Sequence, residues 1–270
     1  MPESNTSTNT TTNSDDDENY TTIEITPGIT LRILEDLSED DEQDEVEDAV
    51  GRLVWPTAVP LLRHIWSEND TWNNNNKLIV ELGAGCGVLG MGLVATSAAA
   101  ISGTTVHHTA SDDNKYCEVI LTDHDADWLE QNLALNKAVL GDAAISVARL
   151  DWRNPQDIET VQNMMTEKLL SMNNNNNLDT TELWIVGSDI LYNHETHRSL
   201  ASTLFQLSNI QSTARIIIGF PDRDNDEEHF LPIVREFLGD KFPSSKPIET
   251  KSNKRGKSMD LRVLDVTLNN

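Results

Sequence analysis

Three glycines at alternate positions mark the segment of this sequence best suited to hold a ligand. Gly83, Gly85 and Gly87 follow the apolar run 78–82. A β-branched run that ends in such glycines predicts a buried strand followed by a tight turn, where a ligand can approach the main chain closely. A helix is predicted directly after the turn. Strand, turn and helix together are typical of a nucleotide-binding half-unit.

The residues around these glycines indicate which ligand to expect. Glu81, two residues before the first glycine, favours S-adenosylmethionine (SAM). A second register, Gly85, Gly87 and Gly90, formally matches the dinucleotide fingerprint G-x-G-x-x-G. That match is weak in so glycine-rich a segment, and a nicotinamide or flavin dinucleotide is the alternative. Glycines that serve packing alone are a further alternative.

Two other predicted strands end in residues that suit an adenosine. Asp123 ends the run 119–123, where a carboxylate at the C-terminal edge of an open sheet can accept both ribose hydroxyls. Its alternative role is to cap the next helix, which Asp125 can also do. Trp152 follows the strand 145–150 and could cover an adenine ring, although a tryptophan there more often only packs.

A further pair of functional candidates follows the predicted strand 183–187. Asp189 and Tyr192, three residues apart, can both border the same pocket mouth. His194 and His197 come immediately afterwards and could be taken for metal ligands. No third ligand stands at a suitable spacing, so the sequence predicts a pair on a helix surface instead.

Regular elements that could position these residues alternate along the chain. Beyond two short extended pieces at 21–26 and 30–34, the predicted strands are 78–82, 118–122, 145–150, 183–187, 214–219 and 259–267. The predicted helices are 56–67, with Pro56 as first helical residue, 87–99, 125–138, 157–171, 195–207 and 226–238. This alternation predicts an α/β fold with a parallel sheet covered on both faces and an antiparallel edge formed by the last strands.

Five short motifs, in this order, resemble the seven-β-strand protein methyltransferases of the lysine methyltransferase-like group, methyltransferase family 16. They are Gly51-Arg-Leu-Val-Trp-Pro56, Glu81-Leu-Gly-Ala-Gly85, Leu121-Thr-Asp123 with Leu129-Glu-Gln-Asn132 after it, Asp151-Trp152, and the DxxY motif Asp189-Ile-Leu-Tyr192. The resemblance runs from about Gly51 to the end. It implies a Rossmann-like SAM-dependent methyltransferase fold, with a mostly parallel seven-stranded sheet and helices on both faces.

The resemblance also implies a role for each site residue. Asp189 and Tyr192 would be catalytic and would lie where the acceptor nitrogen enters. The cofactor contacts would fall on Trp55, Glu81, Gly83, Ala84, Gly85, Asp123, Trp152 and Ser188. The implied activity is methyl transfer from SAM to a protein side chain, foremost a lysine amine. Arginine, histidine or small-molecule acceptors, and a SAM-binding protein without turnover, remain alternatives.

Composition restricts the partners and the compartment. The 20 basic and 45 acidic residues give a net charge of -25, which argues against nucleic acid and anionic membranes. This charge suits a protein substrate with a basic segment, although acidity that only confers solubility is an equal alternative. Two cysteines support neither a disulfide framework nor a zinc cluster, so we expect the cytoplasm, or also the nucleus. We also expect a monomer. The uncharged stretch 82–101 is long enough for a bilayer, but its small residues favour packing on a sheet.

Composition also suggests three regions. Residues 1–20 read as a disordered acidic and polar tail, residues 21–50 as an extension with an acidic loop, and residues 51–270 as the methyltransferase domain. The asparagine runs 73–76 and 173–177 and the excursion 102–116 are predicted surface loops. The basic stretch 246–257 is predicted to be flexible and solvated.

Overall fold

A computed structural model describes residues 20–36, 51–67, 76–101, 117–175, 181–223, 225–240, 242–252 and 258–268. The polar tail up to residue 19 lies outside the described residues. So do most of the acidic loop, most of the first asparagine run and the whole excursion 102–116.

The described residues form nine strands and seven α-helices. The strands are β1 Tyr20–Thr26, β2 Ile29–Leu34, β3 Lys77–Leu82, β4 Cys117–Asp123, β5 Ile145–Arg149, β6 Glu182–Ser188, β7 Arg215–Pro221, β8 Lys246–Ser252 and β9 Ser258–Thr267. The helices are α1 Ala58–Ser67, α2 Val88–Ile101, α3 Ala126–Leu135, α4 Lys137–Leu140, α5 Pro155–Asn175, α6 His197–Ser208 and α7 Asp226–Leu238.

Seven of these strands form one sheet in the order β5-β4-β3-β6-β7-β9-β8, and β1 and β2 form a separate hairpin. The first five strands in that order pair in parallel, while β9 runs antiparallel to both of its neighbours. The predicted parallel sheet with an antiparallel edge is therefore confirmed. Strand order reverses between β3 and β6, and ligands of open α/β sheets bind at such a point, beyond the carboxyl ends of the strands.

Apolar side chains cover the sheet on both faces, which explains why its central strands are mostly apolar. All six residues of β3 are buried. Leu78, Val80 and Leu82 pack on one face with residues of α5, α6 and α7. Ile79 points to the other face and packs with residues of α1, α2 and the β1–β2 hairpin. No helix in the described part of the chain is both long and apolar enough to cross a lipid bilayer.

Four local predictions differ from the structure. Pro56 lies in a turn, and α1 begins only at Ala58. The helix predicted over 125–138 is divided at Asn136 into α3 and α4. Asparagines 173–175 belong to the end of α5, because asparagine lowers helix propensity only modestly. The basic stretch after residue 245 is not free, since Lys246–Ser252 pairs with β9 as an edge strand.

Candidate functional site

The glycine turn after β3 is a stretch of bare main chain held against its neighbours. Ala84 N donates a hydrogen bond to Thr122 O on β4 over 2.9 Å. Gly83 and Gly85 have φ values of +57° and +53°. A Cβ on Gly83 would lie 2.8 Å from Ile190 Cγ2, and one on Gly85 would lie 2.8 Å from Gly51 O. Both positions therefore require glycine, on steric as well as conformational grounds.

Asp123 at the end of β4 bonds directly to this turn. Its Oδ2 accepts a hydrogen bond from Gly85 N over 2.8 Å, and its Oδ1 accepts one from Asp125 N over 3.1 Å. Burial alone would raise the pKa of Asp123, but bonds from His124, Gly85 and Asp125 outweigh it and lower that pKa. Asp125 caps α3 by accepting from Trp128 N, so Asp123 is not the helix cap.

Glu81 lies beneath the same turn, with a side chain that is almost fully buried. Its Oε2 accepts a hydrogen bond from Gly90 N over 2.8 Å and thereby ties β3 to the first turn of α2. Burial raises the pKa of Glu81 to about 8, and the nearby charge of Asp123 acts in the same direction. At neutral pH the Glu81 side chain is therefore mostly protonated.

Two tryptophans predicted to touch the cofactor line the pocket and contact different neighbours. Trp152 packs against the glycine turn, 3.3 Å from the position that a Gly83 Cβ would take. Its buried Nε1 has no hydrogen-bond acceptor among the described residues. The Trp55 ring instead stacks on Tyr192, with centroids 6.3 Å apart and planes 9° from parallel. The guanidinium of Arg223 lies 5.4 Å from the Trp55 centroid.

Asp189 follows β6 directly and is held in an unusual backbone conformation. Its φ is +59°, in the left-handed region that aspartate tolerates better than most residues, and its N–H donates to Gly219 O over 2.8 Å. The Asp189 carboxylate accepts hydrogen bonds from Thr57 and Ser188. Burial raises the pKa of Asp189, and these bonds offset part of that rise. Tyr192 is 48% exposed.

All ten predicted site residues line a single pocket at the point where strand order reverses between β3 and β6. The pocket also contains residues that sequence reasoning missed, namely His124, Arg153, Asn193 and Thr196. They flank predicted motifs, so proximity in sequence was the only available signal. Thr57, which bonds to Asp189 from 132 positions away, had no signal at all.

The two neighbouring histidines are not the surface pair that the sequence predicts. His197 is fully buried at the start of α6, and its Nε2 lies 2.9 Å from Leu191 O. His194 Nε2 lies 2.9 Å from Asp226 Oδ1. Apolar packing of α6 and α7 explains why His197 is covered. Within the described residues, no group of three or more potential ligands is arranged to hold a metal ion.

A family model described as lysine methyltransferase matches residues 36–237. The chain belongs to this lysine methyltransferase family. The match includes all the motifs that carry the resemblance, which is thereby confirmed. No curated protein matches the chain.

The chain is similar to several solved structures, and the first of them supports the fold. A candidate SAM-dependent methyltransferase from Streptococcus mutans has a TM-score of 0.51 at 8% identity, over 94% of this chain and 57% of that one. The chain thus spans a little over half of that relative's length. The O-methyltransferase TomG from Streptomyces achromogenes, solved with SAM, has a TM-score of 0.40 at 11% identity, over 83% of this chain and 90% of that one. A candidate sarcosine dimethylglycine methyltransferase from Galdieria sulphuraria has a TM-score of 0.43 at 12% identity, over 86% of this chain and 93% of that one.

The lining of this pocket offers groups that suit SAM, the cofactor that the family implies. The glycine turn offers main chain without side chains, and Trp152 offers a flat apolar face beside it. The ionised carboxylate of Asp123 can accept hydrogen bonds from ribose hydroxyls, although each of its oxygens already accepts one backbone N–H. The residues therefore fit the cofactor that the family implies, and the individual cofactor contacts stay predictions.

Proposed function

We propose that this protein transfers a methyl group from SAM to the side-chain amine of a lysine in a protein substrate. The observation that carries the proposal is the shared pocket of the glycine turn and the DxxY residues Asp189 and Tyr192. The description of the family supports a lysine acceptor.

In this proposal the chain's own residues mainly position the two reactants. SAM would supply a methyl group activated by its sulfonium, and the remainder of the cofactor would leave as a neutral thioether. The turn at 83–85, Asp123 and Trp152 would hold the cofactor, and Asp189 and Tyr192 would receive the acceptor. Fixing the acceptor nitrogen in line with the methyl group removes most of the entropic cost of the reaction.

A lysine amine must release its proton to solvent water before it can accept a methyl group. From a pKa of ~10.4, this costs roughly 4–5 kcal/mol at neutral pH. Asp189 favours the charged ammonium, so it would attract and orient the substrate and would not act as the base. Loss of water around the buried amine and the cationic cofactor lower the lysine pKa as the complex forms. Tyr192 would position the nitrogen through its hydroxyl or line the channel with its ring.

The proposed substrate carries a basic segment around the acceptor lysine. The net charge of -25 supports this, because an acidic protein attracts cationic partners over several ångströms of solvent. We also propose the cytoplasm or nucleus as the place of action, in line with the two free cysteines, Cys86 and Cys117.

The test is methyl transfer in lysate supplied with methyl-labelled SAM, followed by mass spectrometry of the modified proteins. We expect labelled lysine with the wild-type protein and a loss of at least about 100-fold with Asp189→Asn. Calorimetry should give both proteins nearly the same affinity for SAM. Asp127→Asn, an exposed change on α3, is the control for charge. Label on arginine, histidine or a small molecule would contradict the lysine acceptor and identify another one. SAM binding without transfer would indicate a non-catalytic protein.

A further inference from the structure

We propose that Thr57 is a positioning residue that fixes the Asp189 carboxylate for the acceptor amine. The inference rests on the proposed function, because it assumes that Asp189 meets the acceptor. Thr57 touches neither reactant in this proposal and acts only through Asp189.

One residue holds both oxygens of the carboxylate. Thr57 N donates to Asp189 Oδ2 over 3.1 Å, and Thr57 Oγ1 donates to Asp189 Oδ1 over 2.9 Å. Thr57 is completely buried, and Asp189 is 4% exposed. Such a two-point contact fixes the rotation of the carboxylate plane as well as its position.

The same threonine also packs against the strand that holds the Asp189 backbone. Asp189 N donates to Gly219 O on β7, and a Cβ on Gly219 would lie 2.9 Å from Thr57 Cγ2. Thr57 thus contacts β7 through its methyl group and Asp189 through its hydroxyl. These two functions of one side chain can be separated by substitution.

The hydrogen bonds leave the carboxylate a single direction in which to accept another. A carboxylate offers about four lone-pair positions. Oδ2 accepts from Thr57 N and from Ser188 Oγ, and Oδ1 accepts from Thr57 Oγ1. About one position remains, on Oδ1, for an incoming amine. Without the Thr57 hydroxyl, the carboxylate could rotate and the amine would lose its fixed direction.

Thr57 further joins two motifs that lie far apart in sequence. Two residues before it, Trp55 stacks on Tyr192, which is three residues after Asp189. The segments 55–57 and 189–192 therefore touch twice, once by stacked rings and once by hydrogen bonds. The hydrogen bonds fix the orientation of the Asp189 carboxylate, and the stacked rings fix the position of Tyr192 at the pocket mouth.

Two complementary substitutions of Thr57 test the inference in the full-length protein. Thr57→Val keeps the methyl packing and removes the hydroxyl, whereas Thr57→Ser keeps the hydroxyl and removes the methyl group. We expect Thr57→Val to lower kcat for lysine methylation by about 10- to 100-fold, with Kd for SAM unchanged within about twofold. Thr57→Ser should stay within about threefold of wild type. If packing alone mattered, the valine variant would be active and the serine variant impaired.

A matched control and a readout without turnover complete the experiment. Thr203→Val removes another fully buried hydroxyl, one that has no partner among the described residues, and should leave kcat unchanged. Carboxyl ¹³C NMR titration should show a higher Asp189 pKa in Thr57→Val than in Thr57→Ser, because a donor to the ionised form is lost. Equal Asp189 pKa values in the two variants would overturn the inference. Absence of lysine methylation by the wild-type protein would instead overturn the proposed function. In that case the titration would still show whether the Thr57 hydroxyl controls the Asp189 carboxylate.

Discussion

Glu81 and Asp123 lie near the carboxyl ends of the neighbouring strands β3 and β4 and carry different charges at neutral pH. Glu81 has one hydrogen-bond donor, from Gly90, and burial dominates its pKa. Asp123 has bonds from two backbone N–H groups and from His124, which together keep it ionised. Two carboxyl groups with separated pKa values can take separate roles. Glu81 supports the main chain as a neutral group, and Asp123 presents a negative charge to the pocket.

Glu81→Gln should change how stability depends on pH. In the unfolded chain Glu81 loses its proton near pH 4.5, whereas in the folded protein it keeps the proton up to about pH 8. The folded state therefore binds more protons in this window, and the contribution of Glu81 to stability falls as pH rises from 4.5 to 8. Urea unfolding of the SAM-free protein measures the effect. From pH 5 to pH 8, the free energy of unfolding of Glu81→Gln should rise relative to that of wild type by on the order of 1–3 kcal/mol. A stability difference that does not vary with pH would contradict this.

We expect Asp123→Ala to weaken SAM binding by about tenfold, because Asp123 is the proposed acceptor for the ribose hydroxyls and a charged acceptor contributes roughly 1.5 kcal/mol or more. Calorimetry of the full-length protein measures the effect. Asp123→Asn is the companion variant, since its amide oxygen can still accept from Gly85 N while the charge is lost. Unchanged affinity in both variants would move the ribose contact to another residue.

At the scale of elements, the β1–β2 hairpin attaches to α3 and α4 by two asparagine side chains. Leu34 N donates to Asn132 Oδ1 over 2.7 Å, and Arg32 N donates to Asn136 Oδ1 over 2.8 Å. Asn136 Nδ2 returns a bond to Arg32 O over 2.6 Å. Both side chains are buried. The two amides bond to main-chain groups of β2 in the way that a neighbouring strand would.

Asn136→Ala should destabilise the protein by about 1–3 kcal/mol, because it removes the two hydrogen bonds that the buried Asn136 amide makes with the main chain of Arg32. Urea unfolding measures the loss. Asn136→Asp should recover part of it, since the carboxylate still accepts from Arg32 N. Gln131→Ala, an exposed change on α3, is the control. A loss no larger than that of the control would show that the hairpin is attached by apolar packing alone.

The sequence was sufficient for the elements whose signals are local. Apolar runs predicted β3, β4, β6 and β7, and the glycine turn predicted the pocket next to them. Features that depend on distant partners carried no such signal. β8 reads as a basic, solvated stretch and forms a strand only because β9 offers it an edge. Likewise, nothing near Thr57 indicates that its hydroxyl reaches Asp189, and nothing near Asn136 indicates that it binds β2.

At the scale of the whole molecule, the excess of acidic groups should appear as a dependence on salt. With a net charge of -25, attraction of a lysine-rich peptide acts over the Debye length, about 10 Å at 0.1 M salt. We expect KM for such a peptide to rise about five- to tenfold between 50 and 300 mM salt, with little change in kcat. A peptide with the same acceptor lysine but neutral flanking residues is the control. Equal salt dependence for the two peptides would exclude long-range attraction.

The position of β9 has a consequence for synthesis of the chain. Although β9 follows β8 in sequence, it lies between β7 and β8 in the sheet. While the ribosome is still adding residues 258–267, β7 has an unpaired edge and β8 has not joined the sheet. Open edges of this kind are templates for aggregation. A nascent or truncated chain that stops at residue 252 should therefore collect in inclusion bodies, even though it already contains every residue of the pocket.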